Sequence, residues 1–258
     1  MTPVAVCLIR DLPHYRREAF VKGLVAAGKR VVGVMSTPKS SDDWLVIWNR
    51  YGSYGEQADA WERCGGTVLV CENGYIGTDS ESRQLYAIAI KGHNGSGRWF
   101  VGDEDRFSSL GIKLAPWRDG GRYVLVCGQR GIGTRLMASP INWHEGAAKK
   151  LRHNFEVKLR LHPGRHEAQV PLLDDLNEAL ACAVWSSSSG IKALVHGVPV
   201  LYDAPFWVGS EAANRLDTFE LKRDDESRRL AMHRMSWAQW TVDEIASGIP
   251  FEHLKKVQ

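Results

Sequence analysis

Short apolar runs that end in turn residues or polar loops recur along this chain, and most are separated by stretches with apolar residues at helical spacing. Strands are expected at Val4-Ala5-Val6-Cys7-Leu8-Ile9, Arg30-Val31-Val32-Gly33-Val34-Met35 and Thr67-Val68-Leu69-Val70-Cys71. A second series follows at Tyr123-Val124-Leu125-Val126-Cys127, Val157-Lys158-Leu159-Arg160-Leu161, Ala181-Cys182-Ala183-Val184-Trp185 and Val198-Pro199-Val200-Leu201. Helices are expected over 15–27, 56–63, 145–153, 172–180 and 189–196. Alternating strand and helix predicts parallel sheets with helices on both faces, so the fold class is α/β.

The rhythm restarts after Pro116-Trp117-Arg118-Asp119-Gly120-Gly121, a turn-rich linker. The expected organisation is one doubly wound domain over 1–118, a second over 119–226, and a helical tail over 227–258 that packs back on the first. At about 150 residues per domain, 258 residues accommodate one large or two small domains, and 44% apolar residues supply a sizeable core. No apolar run reaches the ~18–20 residues that span a bilayer, and the first residues lack a signal-peptide layout, so a soluble, cytoplasmic protein is expected. The five cysteines form no C-x-x-C pair and mostly sit in strand-like runs, which predicts reduced core thiols rather than a zinc site.

A net charge of +3 does not by itself demand a nucleic-acid partner. The distribution is more informative. Residues 147–166 hold Lys149, Lys150, Arg152, Lys158, Arg160 and Arg165 against Glu156 alone, which suits phosphate-bearing ligands as well as an ordinary solvated face.

Ligands of open parallel sheets sit beyond the carboxyl ends of the strands, and three segments there carry candidate chemistry. Gly128-Gln129-Arg130-Gly131-Ile132-Gly133 follows the first strand of the second series; its glycines permit close approach and Arg130 can offset phosphate charge. In Lys158-Leu159-Arg160-Leu161-His162-Pro163, alternation puts Lys158, Arg160 and His162 on one face, where the Arg fork and the His can clamp a diphosphate. Trp185-Ser186-Ser187-Ser188-Ser189-Gly190 opens a helix at a strand end, where hydroxyls, backbone N–H groups and the helix dipole favour an anion. Simple N-capping by one serine is the alternative reading of that segment.

The order R-x-H-P, the acidic Leu172-Leu173-Asp174-Asp175-Leu176, then W-S-S-S-S-G-x-x-A-L-x-x-G-V-P-V resembles the nucleotide-sugar-binding half of GT-B glycosyltransferases, especially capsule-polysaccharide and bacteriophage relatives. Glu72-Asn73-Gly74-Tyr75-Ile76, Gly92-His93-Asn94-Gly95-Ser96-Gly97 and the segment from Trp237 to Gly248 resemble phage proteins of this type. Together these segments cover about half the chain. The resemblance implies two Rossmann-like domains facing across a cleft, with the acceptor mainly on the first and the nucleotide-sugar on the second. It implies UDP-glucose as donor and, as acceptor, double-stranded DNA carrying 5-hydroxymethylcytosine or another hydroxymethylated pyrimidine. The basic loop from Arg10 to Arg17 is compatible with a DNA backbone.

Transfer to a hydroxyl requires a general base and stabilisation of the departing phosphate. The expected donor site comprises Gly128, Gln129, Arg130, Gly131, Lys158, Arg160, His162, Ser187, Ser188, Ser189 and Lys192, with Trp207 stacking. Such compensation makes a metal optional, and no metal ligand is expected; Asp103-Glu104-Asp105 has D-x-D spacing but belongs to the first domain. Asp11, His14, Glu72, His93 and Asp103 are candidate bases, Asp11 and His93 foremost and equal. His14, Asn73 and Asn94 are candidate acceptor readers, with turn formation the alternative for the two asparagines. Trp44, Trp48, Trp61 and Trp99 are further candidate stacking surfaces, while Trp237 and Trp240 look structural. The chain departs from the family in lacking its Glu-x(7)-Glu donor pair. Transfer to a capsule or surface glycan, and a non-catalytic nucleotide-sugar or DNA-binding module, therefore stand as alternatives; an NAD-dependent enzyme lacks a fingerprint after the first strand.

Overall fold

A computed structural model describes residues 2–103, 105–162 and 170–258. The chain divides into two compact units: Met1–Gly111 joined by Arg234–Gln258, and Ile112–His233. The first boundary falls a few residues before the expected linker, and the second falls inside a helix. No helix among the described residues is long and apolar enough to cross a membrane.

The first unit contains β1 (Val4–Cys7), α1 (Arg17–Ala26), β2 (Arg30–Val32), β3 (Trp44–Trp48), α2 (Ser53–Arg63), β4 (Thr67–Thr78), β5 (Gln84–Ile90) and α3 (Asp105–Ser109). The second contains β6 (Tyr123–Cys127), α4 (Trp143–Leu151), β7 (Val157–Arg160), α5 (Leu172–Asn177), β8 (Ala179–Val184), α6 (Ser188–Val195), β9 (Val200–Tyr202) and β10 (Asn214–Arg215). The unit boundary lies within α7 (Asp225–Ser236), after which β11 (Gln239–Trp240), α8 (Val242–Ser247) and α9 (Ile249–Lys255) return to the first unit.

In the first unit the sheet order is β11-β5-β4-β3-β1-β2. Strands β2, β1, β3 and β4 run parallel, and β5 is antiparallel to both β4 and β11. Period-2 alternation sorts the side chains. Ala5, Cys7, Trp44, Val46, Leu69 and Cys71 pack with Phe20, Leu24, Ile245 and Phe251 from α1, α8 and α9. Val6, Leu45, Ile47, Val68 and Val70 pack with Ala58 and Trp61 from α2. Burial on both faces explains why these strands read as unbroken apolar runs.

Among the described residues, four strands lie outside the expected ones, the short β10 and β11 and the longer β3 and β5. Trp44–Trp48 is buried on both faces and Gln84–Ile90 is almost wholly buried, so neither shows polar alternation. Trp44 and Trp61, expected as stacking surfaces, are 1% and 2% exposed and belong to the core. Trp48 packs edge-on against Tyr15, and the Trp99 indole N–H donates to the Arg234 carbonyl. The expected helical tail is broken by β11, where Gln239 pairs with Ala87 and Trp240 with Tyr86. Its next helix, α8, starts on a capping box between Thr241 and Glu244 and ends at Gly248 in the left-handed region. Arg106 clasps Glu244 and lies over the Trp240 ring, tying α3 to this segment.

The second unit has an all-parallel sheet, β10-β9-β8-β6-β7. Val124, Val126, Ala181, Ala183 and Leu201 pack against Trp143, Ala147, Ala148 and Leu151 of α4. The helix expected over 172–180 stops at Asn177, because Ala179 and Leu180 already belong to β8 beside β6. Cys7, Cys71, Cys127 and Cys182 are buried free thiols, and Cys64 is exposed.

Candidate functional site

In the second unit, β6 lies between β7 and β8, and the chain leaves β6 toward β7 but leaves β8 toward β9. The loops after β6 and β8 therefore diverge and leave a crevice at the carboxyl edge, the usual ligand position in such sheets. One side chain spans it. Gln129 Oε1 accepts from the Ser186 backbone N–H at 2.6 Å, and its amide nitrogen donates to Ser186 Oγ at 3.4 Å. Gly128 is buried, and its N–H donates to the Arg160 carbonyl at 2.8 Å, so the same loop is fixed to the end of β7. Gly131 has φ +66°, and a Cβ there would stand 3.1 Å from the Ser139 carbonyl, so a side chain at this turn is strained.

Ser187 is the N-cap of α6, its hydroxyl accepting from the Ser189 N–H at 3.1 Å. One serine thus performs the capping, and Ser188 is exposed beside it at the first helical position. The α6 N-terminus faces solvent at this edge with its partial positive charge. Arg130 is exposed one residue beyond Gln129. Burial, and next the charge of Arg130, hold the His162 imidazole below its usual range, which places the neutral imidazole close to the Arg130 guanidinium. His144 joins them unannounced: a Cβ on Gly128 would lie 3.6 Å from its ring and 3.6 Å from Leu161 Cα. A histidine in the first turn of a helix carries no local motif, so no sequence signal marked it. Arg130, His144, His162 and the α6 N-terminus make this edge suited to an anion.

Other expected donor residues stand elsewhere. Lys158 and Arg160 do share a face, but both are committed to buried Asp175, Lys158 at 2.8 Å and Arg160 in a close contact. The acidic helix expected as part of the family pattern neutralises the clamp. Burial would raise the Asp175 carboxyl, but hydrogen bonds from Lys158 and Arg160 outweigh it and hold the group below the usual carboxylate range. Stability from this pairing is present above the ordinary Asp value near pH 4 and lost as pH falls through the lower folded value. Asp175→Asn should cost about 3 kcal/mol at pH 7, because it leaves Arg160 poorly compensated. In urea titrations, the gap to wild type should narrow as pH falls toward 3; a pH-independent gap would contradict this pairing.

Trp207 is a correction. It is 2% exposed and packs on Gly190, where a Cβ would stand 2.7 Å from its ring, so it anchors α6 and offers no face to a base or sugar. Lys192 is exposed in the last turn of α6, where its charge acts on His196, away from the helix start. Pro163, the end of the R-x-H-P pattern, and Glu104 lie outside the described residues. Among the described residues no group of three or more His, Cys, Asp or Glu side chains could hold a metal ion.

In the first unit the diverging loops follow β1 and β3. Asp11 and His14 are both exposed in the loop after β1. His93 is 7% exposed, its Nδ1 enclosed without a hydrogen-bond partner. It faces Glu72, whose carboxyl is pushed up by burial against the lowering effect of the His93 charge. The Asn94 N–H donates to Glu72 Oε1 at 3.0 Å and to the Tyr75 hydroxyl at 2.9 Å. Asn94 has φ +54° and its side chain accepts from the Gly95 N–H, the turn-forming role. Asn73 is exposed on β4, opposite Tyr86. Gln239 Oε1 accepts from the Ile76 N–H at 2.9 Å. Segments 72–76, 92–97 and 237–248 thus come together through β4, the loop after β5 and β11: Asn94 meets Glu72 and Tyr75, and Gln239 meets Ile76.

The fold defines a chain of two doubly wound α/β units, one of them with an anion-suited crevice at its strand switch. Among solved structures, the chain is similar to the beta Kdo 2,7 transferase of Thermosulfurimonas dismutans KpsC, at 14% identity and a TM-score of 0.57 over 99% of this chain and 100% of that one. It is also similar to the beta Kdo 2,4 transferase of the same KpsC, at 14% identity and a TM-score of 0.56 over 90% of each chain. At this identity the likeness is one of fold alone. No protein-family model and no curated sequence matches the chain.

Proposed function

We propose that the chain moves a sugar from a nucleotide-sugar to a hydroxyl of a glycan. The observation that carries this reading is the Gln129–Ser186 bridge at the β6/β8 switch, with Arg130, His162 and the α6 N-terminus gathered beside it. In the reaction the bond from the anomeric carbon to the donor phosphate breaks and a bond to the acceptor oxygen forms. Arg130, His162 and the α6 N-terminus take up the charge on the departing phosphate. Asp11, exposed after β1, accepts the hydroxyl proton. His93 is too enclosed to touch the acceptor; with Glu72 it sets the loop from Gly92 to Gly97.

The glycan acceptor draws support from the two transferases of similar fold. Hydroxymethylated DNA is the second reading, favoured by the exposed Arg10 and Arg16 and by the convergence of the phage-like segments. The test incubates the full chain with UDP-glucose or CMP-Kdo and either oligosaccharides or DNA containing 5-hydroxymethylcytosine or 5-hydroxymethyluracil. Mass spectrometry of the acceptor should show a sugar-sized gain on the oligosaccharide. A gain on the modified base alone would establish the DNA reading instead. Donor bound by the second unit but never transferred or hydrolysed would overturn catalysis and leave a binding module.

A further inference from the structure

We propose that the first unit holds a binding site for an acidic sugar residue, in a cavity at the carboxyl ends of β1 and β2. This rests on the glycan reading above and names the chemistry of the acceptor. The cavity measures about 440 Å³ and is lined by Leu8, Ile9, Arg17, Gly33, Tyr54 and Gln57 among others. Its size falls within the ~300–1,000 Å³ common for small-molecule sites.

Two of its side chains lack the partners their chemistry requires. Arg17, at the first position of α1, makes no ion pair or side-chain hydrogen bond among the described residues. A guanidinium at a helix N-terminus is poised for a carboxylate, which it can meet with two parallel hydrogen bonds. Gln57, on α2, keeps its Oε1 enclosed with no donor to satisfy it. An enclosed amide oxygen favours a ligand O–H or N–H and disfavours further bare oxygens. Gly33 lies beside the Arg17 guanidinium, a Cβ there standing 3.8 Å from its terminal nitrogen. Tyr54 donates to the Leu8 carbonyl at 3.2 Å and so has its own hydroxyl proton engaged. One cation, one recessed acceptor and the apolar wall of Leu8 and Ile9 match a ring bearing a carboxylate, hydroxyls and a C–H face. A phosphodiester backbone brings no hydroxyl proton for Gln57, so DNA phosphate fits less well.

Arg17 also lines a neighbouring cavity of about 570 Å³ that includes Asp11, Arg16 and Lys22. An acidic residue held by Arg17 and Gln57 therefore leaves the rest of the acceptor beside Asp11, where the proposed base can reach a hydroxyl.

The experiment measures binding of glucuronic acid, Kdo, glucose and inorganic phosphate to the full chain by calorimetry or saturation-transfer NMR, with no nucleotide-sugar present. The acidic sugars should bind at least about tenfold more tightly than glucose, and Arg17→Gln should remove that preference, as expected for one charge-assisted bidentate contact. Arg17→Lys should restore part of it, and Gln57→Leu should weaken the sugars about fivefold while leaving inorganic phosphate unchanged. Thermal melts confirm that each variant folds. Equal binding of glucose and glucuronate, or acidic-sugar binding indifferent to Arg17→Gln, would overturn the site. Phosphate binding as tight as glucuronate, with no response to Gln57→Leu, would make it a phosphate site and favour DNA. Because no donor is present, failure here leaves sugar transfer standing, and failure of transfer leaves this site standing.

Discussion

Arg130→Ala should lower kcat/KM for sugar transfer about 100-fold, with most of the loss in kcat. Arg130 sits on the loop that Gln129 anchors to Ser186, so its charge stands beside the α6 N-terminus where a departing phosphate gathers negative charge. A second readout separates this role from a structural one. Burial is the larger cause that depresses His162, and the Arg130 charge is the next. Removing Arg130 should therefore move the His162 titration upward toward, though not fully to, the ordinary histidine value near 6.5. Proton NMR of the histidine resonances checks this directly. A variant with an unmoved His162 and unchanged kcat would detach Arg130 from the site. Gly128→Ala is a gentler probe of the same edge, since its Cβ would meet the His144 ring and Leu161 only at ordinary contact distance.

Gly23→Ala should lower stability strongly, costing about 3 kcal/mol or more. Its Cβ would stand 1.8 Å from the Ile245 carbonyl and 2.7 Å from the Phe251 ring, so α1 must part from the C-terminal helices. Backbone cannot yield as a flexible side chain does, and α8 is held by its capping box and by Arg106. Gly146→Ala is the control: nothing lies within 4 Å of the new Cβ on the exposed face of α4, and helix propensity predicts a gain of about 0.5–1 kcal/mol. Urea unfolding of both variants measures the contrast. A mild Gly23→Ala would mean that α8 and α9 do not pack on α1 as described.

The α/β rhythm was legible because fully buried parallel strands leave compact apolar runs, as in Val4–Cys7 and Tyr123–Cys127, with helical periodicity between. The same burial hid Trp44–Trp48 and Gln84–Ile90. A strand covered on both faces has no polar alternation, and tryptophans at both ends of β3 read equally as ligand surface. The Gly128–Gly131 loop and the serine-led helix start were legible for a local reason: glycines with special φ and serines at an N-cap act within a few residues of themselves.

Pairing across the chain was not local, and only the tertiary structure decided it. Lys158 and Arg160 look like a phosphate clamp until Asp175 comes within reach of both. Trp207 looks like a stacking face until Gly190 lets it sink to 2% exposure. Gln129 and Ser186 meet 57 residues apart because β6 and β8 are neighbours in the sheet. By itself the sequence determined the alternation of apolar strands such as β1, β4, β6 and β8 with helices, and the glycine turn and serine helix start, since those depend on periodicity and on the backbone freedom of single residues. Which charges stay available for a ligand was decided by the fold, because a charge's role depends on the groups that distant segments bring against it.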